Sequence, residues 1–323
     1  MNPADFSKAR TIQETTFLED LDDSQSKKLA SVLDELKSST KATQVYRGVS
    51  RENLISKLTL ENDAAILDEK LFTLLFYFGE KAKHYYEIED PLAKSLRYLK
   101  CVEDLSPTSN EGIFNEILHS FNNCEAAKKF SKIAPDFFSF FQNSSNLEKF
   151  NTGIQRLGQI SRDYYLYFLH TIGNDAFSKH SLLVSTSTNF DVASAAGNYV
   201  IYYIIPDPLE KYAIDPISLS IQKLEENLMN HELPTYNKKV NYPTEYEICV
   251  RSALFARSIL GVKNNTEKTF IVNPHIFSNE SGSIINGLSI DQSDFEDSLP
   301  ETAYHRGVVL TLDGHYQTIE KNN

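Results

Sequence analysis

The sequence has few of the residues from which metal sites and disulfide frameworks are built. It contains no tryptophan and three cysteines in 323 residues. Cys101, Cys124 and Cys249 are irregularly spaced, which argues against a disulfide framework and favours three small buried residues in a reducing compartment. A cysteine nucleophile would need a histidine partner, and none is identifiable. The eight histidines show no ligand spacing, and HExxH and CxxC do not occur, so we predict no metal site.

Long apolar runs are also missing. No stretch reaches membrane-spanning length, and the N-terminal MNPADFSKAR lacks the apolar stretch of a signal peptide, so we expect a soluble protein without a membrane span. Neither GxGxxG nor a P-loop pattern occurs, which excludes a Rossmann turn as the means of binding a dinucleotide. The formal charge of -12 gives no general attraction to nucleic acid or anionic membranes, although a local basic patch could bind either.

What is present is the composition of a folded chain, with 41% apolar residues, 17 tyrosines and 20 phenylalanines. Apolar residues at helical spacing dominate the first half, and include a helix near 24–37 capped by Ser24, a helix start at Asp90, and a longer helix at 154–172. Short segments rich in Val, Ile, Tyr and Phe follow from about 181. We therefore predict the α+β class.

The predicted organisation has five parts. They are a polar N-terminal arm (1–22), an N-terminal helix and first strand (23–50), a helical region (51–174), a β-rich core (175–275), and an acidic loop with the C-terminal tail (276–323).

Arg47 lies between Tyr46 and Gly48 in a short apolar strand. An arginine on a strand usually meets an anion or a carboxylate, and the adjacent glycine would let a ligand approach the backbone. The alternative is an arginine on an exposed strand face before a turn glycine, and the motif alone does not exclude it.

A second cluster consists of four hydroxyl residues, Ser185 to Thr188, after the apolar LLV. Hydroxyls at a strand end can cap a helix and can also hold a carboxylate in place. The following NFDVASAAG predicts a short helix, so a plain capped turn is the alternative.

Glu245 and Glu247 open the segment YEICVRS. Strand alternation would place both carboxylates on one face, where their repulsion suits a site that receives a cationic group. The alternative is a charged strand edge that blunts aggregation.

In this order, YRG, STS and ExE resemble the arginine–serine–glutamate class of mono-ADP-ribosyltransferases. The flanking sequence is also similar, since a hydrophobic strand runs into the hydroxyl triplet and EYEICVRSALFARSILGV leads to a strand ending in Gly-Val. Tyr242, before the first glutamate, fits the family's acceptor-binding turn. The resemblance covers 44–50 and about 180–273. It leaves out 51–179, which is far longer than the usual connection.

The resemblance implies a split β-sandwich of the ADP-ribosyltransferase type, built from 40–50 and 175–275, with a large helical insertion or companion helical domain. NAD would be the substrate and would lie in the cleft between two small sheets. The reaction implied is transfer of ADP-ribose to an arginine side chain of a target protein, with release of nicotinamide and without a metal.

The resemblance also assigns roles to individual residues. Glu247 would stabilise the oxocarbenium-like transition state and hydrogen-bond the ribose 2′-hydroxyl. Ser185 would orient Glu247 and NAD, and Arg47 would hold the dinucleotide through ribose and phosphate. The Gly48 backbone would bind the nicotinamide carboxamide. Glu245 would position or deprotonate the acceptor, and because a carboxylate complements guanidinium, protein arginine is preferred over nucleic acid.

Thr186 and Ser187 join Ser185 as candidate NAD contacts. The aromatic ring that stacks on nicotinamide is Phe190 or Tyr199, and each of the two could equally belong to the core.

The chain departs from the family's pattern in one respect. Many relatives carry a second arginine for the pyrophosphate shortly after the hydroxyl triplet, whereas no arginine lies between Arg162 and Arg251 here. Lys179, His180, Lys211 or an arginine of the helical region are the candidates to replace it.

Three other functions stay open. The same site would serve an NAD glycohydrolase or a nucleic-acid ADP-ribosyltransferase, and a catalytically inactive helical adaptor protein is the alternative of another class. The helical region could recognise the acceptor, cover NAD or bind a regulator. By analogy with relatives of this size, we expect a bacterial toxin or effector that is made in a bacterial cytoplasm and delivered into another cell without a classical signal peptide.

Overall fold

The computed structural model of the chain describes a set of segments that form two compact units. The described residues are 9–13, 17–38, 42–58, 65–80, 107–172, 183–219, 222–236, 243–251, 254, 258–274, 308–310 and 316–318. The first unit combines Met1–Ile88, Ser185–Tyr212 and Ala253–Asn323, and the second combines Glu89–Val184 and Ala213–Ser252.

The described chain contains both strands and helices, and consecutive helices occupy Pro107 to Ile172. The strands are β1 (Ala9–Gln13), β2 (Phe17–Asp20), β3 (Ala42–Val49), β4 (Leu183–Ser187), β5 (Tyr199–Pro206), β6 (Ala213–Ile214), β7 (Glu247–Arg251), β8 (Ile259–Asn264), β9 (Thr269–Val272), β10 (Val308–Leu310) and β11 (Tyr316–Thr318). The first helices are α1 (Asp23–Ser38), α2 (Arg51–Leu58), α3 (Asp68–Phe78), α4 (Pro107–Asn123), α5 (Glu125–Lys128), α6 (Phe130–Ile133) and α7 (Pro135–Gln142). The later helices are α8 (Leu147–Leu157), α9 (Gln159–Ile172), α10 (Phe190–Ala195), α11 (Leu209–Tyr212), α12 (Pro216–Leu219) and α13 (Gln222–Asn230), and 3₁₀ turns occur at Ser144–Asn146 and Pro243–Glu245.

The first unit is built on a sheet with the strand order β2-β1-β9-β8-β5-β3-β4. Its pairs are antiparallel except for β1 with β9. The strand β5 pairs with the whole of β3, and its residues from Tyr199 to Ile205 are buried, as its continuous β-branched and aromatic sequence predicts. The sheet therefore sets the strand that carries Arg47 beside the strand that carries Ser185.

The pairing of β3 with β4 is short. Among the described residues, the two strands share the single register pair Tyr46↔Ser187, whereas β3 pairs with β5 from Ala42↔Pro206 to Val49↔Tyr199. β3 therefore pairs mainly with β5, and its register pair with β4 lies at the end of that strand.

The segment predicted as a polar arm, 1–22, contains two strands. β1 and β2 form a hairpin with Gln13 opposite Phe17, and β1 adds to the sheet beside β9. Backbone hydrogen bonds to a distant strand create this pairing, and the polar local sequence does not encode it. The capping residue of α1 also differs from the predicted Ser24, because Asp22 and Gln25 each accept a hydrogen bond from the other's backbone N–H in the manner of a capping box.

The second unit is a helical body with an aromatic core. The ring of Phe137 contacts those of Phe141 and Phe168 edge to face, with centroids 5.1 and 4.7 Å apart, an arrangement that the ring quadrupole favours. In the same unit, β6 and β7 pair antiparallel, and Ile214 and Cys249 from these strands belong to the core.

The long helix predicted at 154–172 is two helices, because Gly158 interrupts it. Gly158 adopts a positive φ of 81° and its N–H bonds the carbonyl of Ile154 at 2.8 Å. Glycine takes this left-handed conformation without a Cβ penalty, so it ends α8 and lets α9 begin in a new direction.

Helix α9 is buried from Ser161 to Leu169, and a buried ion pair links it to β7. Arg251 Nη1 and Nη2 donate to the two carboxylate oxygens of Asp163 at 2.8 and 2.6 Å, and both residues are at least 95% buried. A bidentate pair of this kind fixes the geometry of its partners, so α9 and β7 have a defined register.

The α+β class is confirmed, since helices and antiparallel strands occur together. The two units group the residues differently from the predicted domains, because β7 belongs with the helices α4–α9 while α2 and α3 belong with the first unit. The predicted helix start at Asp90 and the predicted acidic loop up to residue 307 lie outside the described residues. Within the described part of the chain, the helices are too short or too polar to cross a membrane.

Candidate active site

Arg47 on β3 is anchored at two points within the first unit. Its Nη1 donates a hydrogen bond to the backbone carbonyl of Ser185 at 2.9 Å, and its Nε lies 3.4 Å from Oε1 of Glu80. The Arg47 side chain keeps 22% of its surface exposed, whereas Glu80 is fully buried. A buried carboxylate needs a cation nearby. Glu80 is therefore a carboxylate partner of the kind expected for an arginine on a strand.

Glu80 was not predicted from the sequence. It follows α3 and Gly79, and its carbonyl accepts a hydrogen bond from the N–H of Leu254 at 3.1 Å. A single acidic residue after a helix carries no sequence signal of burial, because the burial comes from a contact with a segment far along the chain.

The hydroxyl cluster forms the capped turn that was one of its two interpretations. Ser187 Oγ accepts from the N–H of Asn189 at 3.0 Å, and the side chain of Asn189 accepts from the N–H of Asp191 and caps α10. Thr186 and Ser187 are each 5% exposed, and Ser185 is partly exposed. All three remain predicted NAD contacts.

Gly48 has a packing role. A Cβ at this position would lie 1.8 Å from the carbonyl oxygen of Ala193 in α10. The backbone that approaches Gly48 closely is therefore that of α10. The prediction that Gly48 makes room for a ligand is corrected here, while its backbone remains a candidate for the carboxamide contact.

The two candidate stacking aromatics have different environments. Phe190 is partly exposed, packs edge to face on Tyr46 and has Lys263 Nζ 4.8 Å from its ring centroid. Tyr199 is 4% exposed, and its hydroxyl donates to Asp68 at 2.7 Å. Burial, followed by this hydrogen bond, raises the pKa of Tyr199. Tyr199 is thus a core residue, and Phe190 is the aromatic that a ligand could reach.

Glu247 is the first residue of β7 and lies in the second unit. The hydroxyl of Tyr167 donates to its Oε2 at 2.9 Å, and Nε2 of His170 lies 3.5 Å from its Oε1. The Glu247 side chain is 20% exposed and that of His170 14%. Tyr167 and His170 are one helical turn apart on α9 and therefore share a face. Each carboxylate oxygen of Glu247 thus has its own partner.

Glu245 does not lie on a strand. It ends the 3₁₀ turn Pro243–Glu245, and Tyr246 has a positive φ of 49°, which interrupts the extended backbone before Glu247. The predicted alternation of Glu245 and Glu247 on one strand face is therefore wrong. The two carboxylates still interact, because burial and then the charge of Glu247 raise the pKa of Glu245.

Cys249 brings a thiol close to the Glu247 carboxylate. Its Sγ, Nε2 or Nδ1 of His170 and a carboxylate oxygen of Glu247 all lie within 4.8 Å of one another. Cysteine, histidine and glutamate form a donor set that zinc accepts. Local ligand spacing does not predict this cluster, because His170 is far from β7 in the chain.

Two groups of side chains stand out as candidates for chemistry. We call the first, which lies in the first unit, the arginine group: Arg47, Glu80 and Ser185. We call the second, which lies in the second unit, the glutamate group: Tyr167, His170, Glu247 and Cys249.

The candidates for the second NAD-binding cation are placed as follows. Lys179, His180 and the acceptor-turn residue Tyr242 lie outside the described residues, as does the side chain of Lys211. Arg162 on α9 is fully buried, 3.8 Å from Asp163, which places it in the core. Comparisons of the chain with models of protein families, with curated proteins and with solved structures found no match.

Proposed function

We propose that the protein is a mono-ADP-ribosyltransferase that moves ADP-ribose from NAD to an arginine side chain of a target protein and releases nicotinamide. The observation that supports this best is the environment of Glu247. Its carboxylate is held by Tyr167 and His170, remains partly exposed, and lies near enough to the exposed Glu245 to raise that residue's pKa. The fixed Glu247 suits the stabilisation of the positive charge that develops on the ribose. The accessible Glu245 suits the binding of the acceptor guanidinium.

The chemistry assigns a separate task to each glutamate. Cleavage of the bond between nicotinamide and ribose leaves the bonding electron pair on nicotinamide and positive charge on the anomeric carbon. The Glu247 carboxylate stabilises that charge and accepts a hydrogen bond from the ribose 2′-hydroxyl. A guanidinium nitrogen of the acceptor then attacks the anomeric carbon, and Glu245 takes the proton that this nitrogen loses.

The raised pKa of Glu245 supports its role as the base. A carboxylate whose charged form is disfavoured binds a proton more tightly, so it is a better base than an ordinary glutamate. A negative charge at this place also complements the incoming guanidinium. Tyr246, which is 51% exposed, offers an aromatic face on which an arginine of the target can stack.

The arginine group supplies the features needed to bind a dinucleotide. A guanidinium has five N–H donors, and the contacts of Arg47 with Glu80 and Ser185 use two of its nitrogens. The exposed part of Arg47 can therefore bind ribose or phosphate oxygens. The finer proposal is that the antiparallel strands which carry Arg47 and Ser185 belong to a split β-sandwich of the ADP-ribosyltransferase type.

The helical second unit has a defined part in this proposal, because it provides Tyr167 and His170 to the catalytic glutamate. The proposal extends, by analogy, to a bacterial effector or toxin that is delivered into a host or target cell.

The decisive experiment incubates the full chain with radiolabelled NAD and cell lysate, beside Glu247→Gln, Glu245→Gln and the control Glu148→Gln, which changes an exposed glutamate on α8. We expect protein-bound label for the wild type and the control. Glu247→Gln should abolish it, and Glu245→Gln should abolish transfer while nicotinamide release continues.

The other functions give different results in the same assay. Nicotinamide release without any labelled macromolecule identifies an NAD glycohydrolase, and label that nuclease removes identifies a nucleic-acid acceptor. If the folded wild type neither releases nicotinamide nor transfers label, and Glu247→Ala leaves the biological effect unchanged, the adaptor function replaces this proposal.

A further inference from the structure

We propose that Tyr167 and His170 are positioning residues that hold the carboxylate of Glu247 in its reactive orientation. This inference rests on the proposed function, and it gives the helical unit the task that the sequence pattern had assigned to Ser185. In the structure, Ser185 presents its backbone carbonyl to Arg47.

The two contacts reach different oxygens of the Glu247 carboxylate. The terminal torsion of a glutamate is broad and roughly two-fold, so a carboxylate held by one donor can still rotate. Tyr167 binds Oε2 at 2.9 Å and His170 lies 3.5 Å from Oε1. Partners on both oxygens restrict that rotation. The exposed part of the Glu247 carboxylate therefore keeps one orientation.

The helix that carries both partners is largely buried and is joined to β7 by an ion pair. Tyr167 is 5% exposed and lies one helical turn after Asp163, whose bidentate pair with Arg251 joins α9 to β7. Glu247 begins β7 and Arg251 ends it. The carboxylate and its two partners are therefore placed by the same helix and strand that the buried ion pair connects.

The phenol of Tyr167 is a protonated hydrogen-bond donor. Burial, followed by the negative charge of Glu247, raises the pKa of the Tyr167 phenol well above its usual range. The phenol therefore keeps its proton and remains a hydrogen-bond donor at any pH at which an enzyme works. Because it bonds the charged form of Glu247, it favours that form.

Among the described residues, several titratable groups lie near the Glu247 carboxylate and bear on its pH dependence. Two lie on α9, Tyr167 and His170. Cys249 lies on β7, and Glu245 precedes that strand. Substitutions at Tyr167 and His170 leave the last two unchanged, so a shift in pH dependence can be assigned to the lost contact.

The experiment compares Tyr167→Phe with the control Tyr165→Phe in NAD cleavage by the full chain. Both remove one hydroxyl from α9, but the hydroxyl of Tyr165 donates to the carbonyl of Pro234 at 2.9 Å. We expect Tyr167→Phe to lower kcat about ten- to hundredfold, the usual effect of losing a hydrogen bond to a charged group, with KM for NAD nearly unchanged. The acidic limb of its pH–rate profile should move to higher pH, because the charged Glu247 loses a donor. Tyr165→Phe should show neither change.

Two variants of His170 provide a second test in case Tyr167→Phe does not fold. His170→Gln keeps a polar side chain near Oε1 of Glu247, whereas His170→Ala removes the group that lies 3.5 Å from that oxygen. The glutamine variant should therefore retain more of the wild-type kcat. Wild-type kcat and an unshifted acidic limb in Tyr167→Phe, or equal kcat values in the two His170 variants, would overturn the inference.

Failure of the proposed function gives a separate result, namely a folded wild type that does not cleave NAD. In that case, NMR titration of the Glu247 carboxyl still decides the positioning role. We expect its pKa to rise in Tyr167→Phe and to stay unchanged in Tyr165→Phe, and an unchanged pKa in both variants would reject it.

Discussion

The phenol of Tyr167 donates a hydrogen bond to the carboxylate of Glu247 at 2.9 Å, although one residue lies on a helix and the other begins a strand far along the chain. Tyr167 belongs to the segment 51–179, which the family resemblance leaves out. The proposed catalytic acid thus depends on a part of the molecule for which the sequence motifs predicted no catalytic role. The glutamate group, rather than Glu247 alone, is the unit to test.

The pH dependence of transfer is expected to follow Glu245. Its pKa is raised above the ordinary 4.5 by burial and by the charge of Glu247. A base must be deprotonated, so transfer to the arginine mimic agmatine should fall as the pH drops through this raised value. Glu247→Gln removes the neighbouring charge and should lower the pKa of Glu245, which NMR titration of the carboxyl measures. A Glu245 pKa that is the same in both proteins would refute the coupling.

Arg47→Lys is expected to weaken NAD binding more than it slows chemistry. Lysine keeps the positive charge beside the buried Glu80 but loses the planar fork that reaches both Glu80 and the Ser185 carbonyl. We expect KM for NAD to rise about tenfold, as for the loss of one hydrogen bond of this kind, with a smaller change in kcat. Steady-state kinetics of nicotinamide release measure both, and Arg156→Lys, an exposed change on α8, is the control.

The chain should need no metal for activity. Bond cleavage in the proposed mechanism uses carboxylates, and both oxygens of Glu247 already have partners in Tyr167 and His170. Treatment with EDTA should therefore leave the rate of NAD cleavage unchanged. Loss of activity on chelation, with recovery on adding zinc to the wild type but not to Cys249→Ser, would instead make His170, Glu247 and Cys249 a metal site.

The Asp163–Arg251 ion pair is expected to be essential for stability. Arg251→Ala leaves Asp163 buried without its bidentate partner, and removal of one member of a buried pair costs about 3–5 kcal/mol. Arg156→Ala changes an exposed arginine on α8 and should alter the free energy of unfolding by less than about 0.5 kcal/mol. Urea unfolding followed by circular dichroism compares the two, and equal midpoints would contradict the prediction.

Gly48→Ala should destabilise the first unit. The new Cβ would lie 1.8 Å from the carbonyl oxygen of Ala193, so β3 and α10 must separate, at a cost of about 1–3 kcal/mol. Gly112→Ala is the matched control, because a Cβ there meets nothing within 4 Å and alanine favours a helix over glycine by about 1 kcal/mol. The midpoint of thermal unfolding should therefore fall for Gly48→Ala and rise for Gly112→Ala. A stable Gly48→Ala that has lost only NAD binding would restore the predicted ligand role of Gly48.

Local patterns sufficed to predict much of the secondary structure. The strands that carry Arg47, Ser185 and Glu247 lie within or beside their predicted ranges, because β-branched and aromatic runs with turn residues between them specify strands locally. The short helix after the hydroxyl cluster was found for the same reason, since Asn189 is a favoured capping residue.

The features that sequence reasoning missed depend on contacts between distant segments. The hairpin β1–β2 joins the sheet through the pairing of β1 with β9, and Glu80 contacts Leu254 far along the chain. Tyr167 and His170 were two polar residues on an apolar helix, and their i, i+3 spacing showed only that they share a face. The prediction that Glu245 and Glu247 share one strand face failed for a local reason. Tyr246 between them has a positive φ, a conformation that a bulky side chain rarely adopts and that the sequence does not predict.

The buried pair of Asp163 and Arg251 has a mechanical consequence. It joins α9, one turn before Tyr167, to the end of β7 opposite Glu247. A displacement of α9 would therefore also displace the carboxylate that we propose to be catalytic.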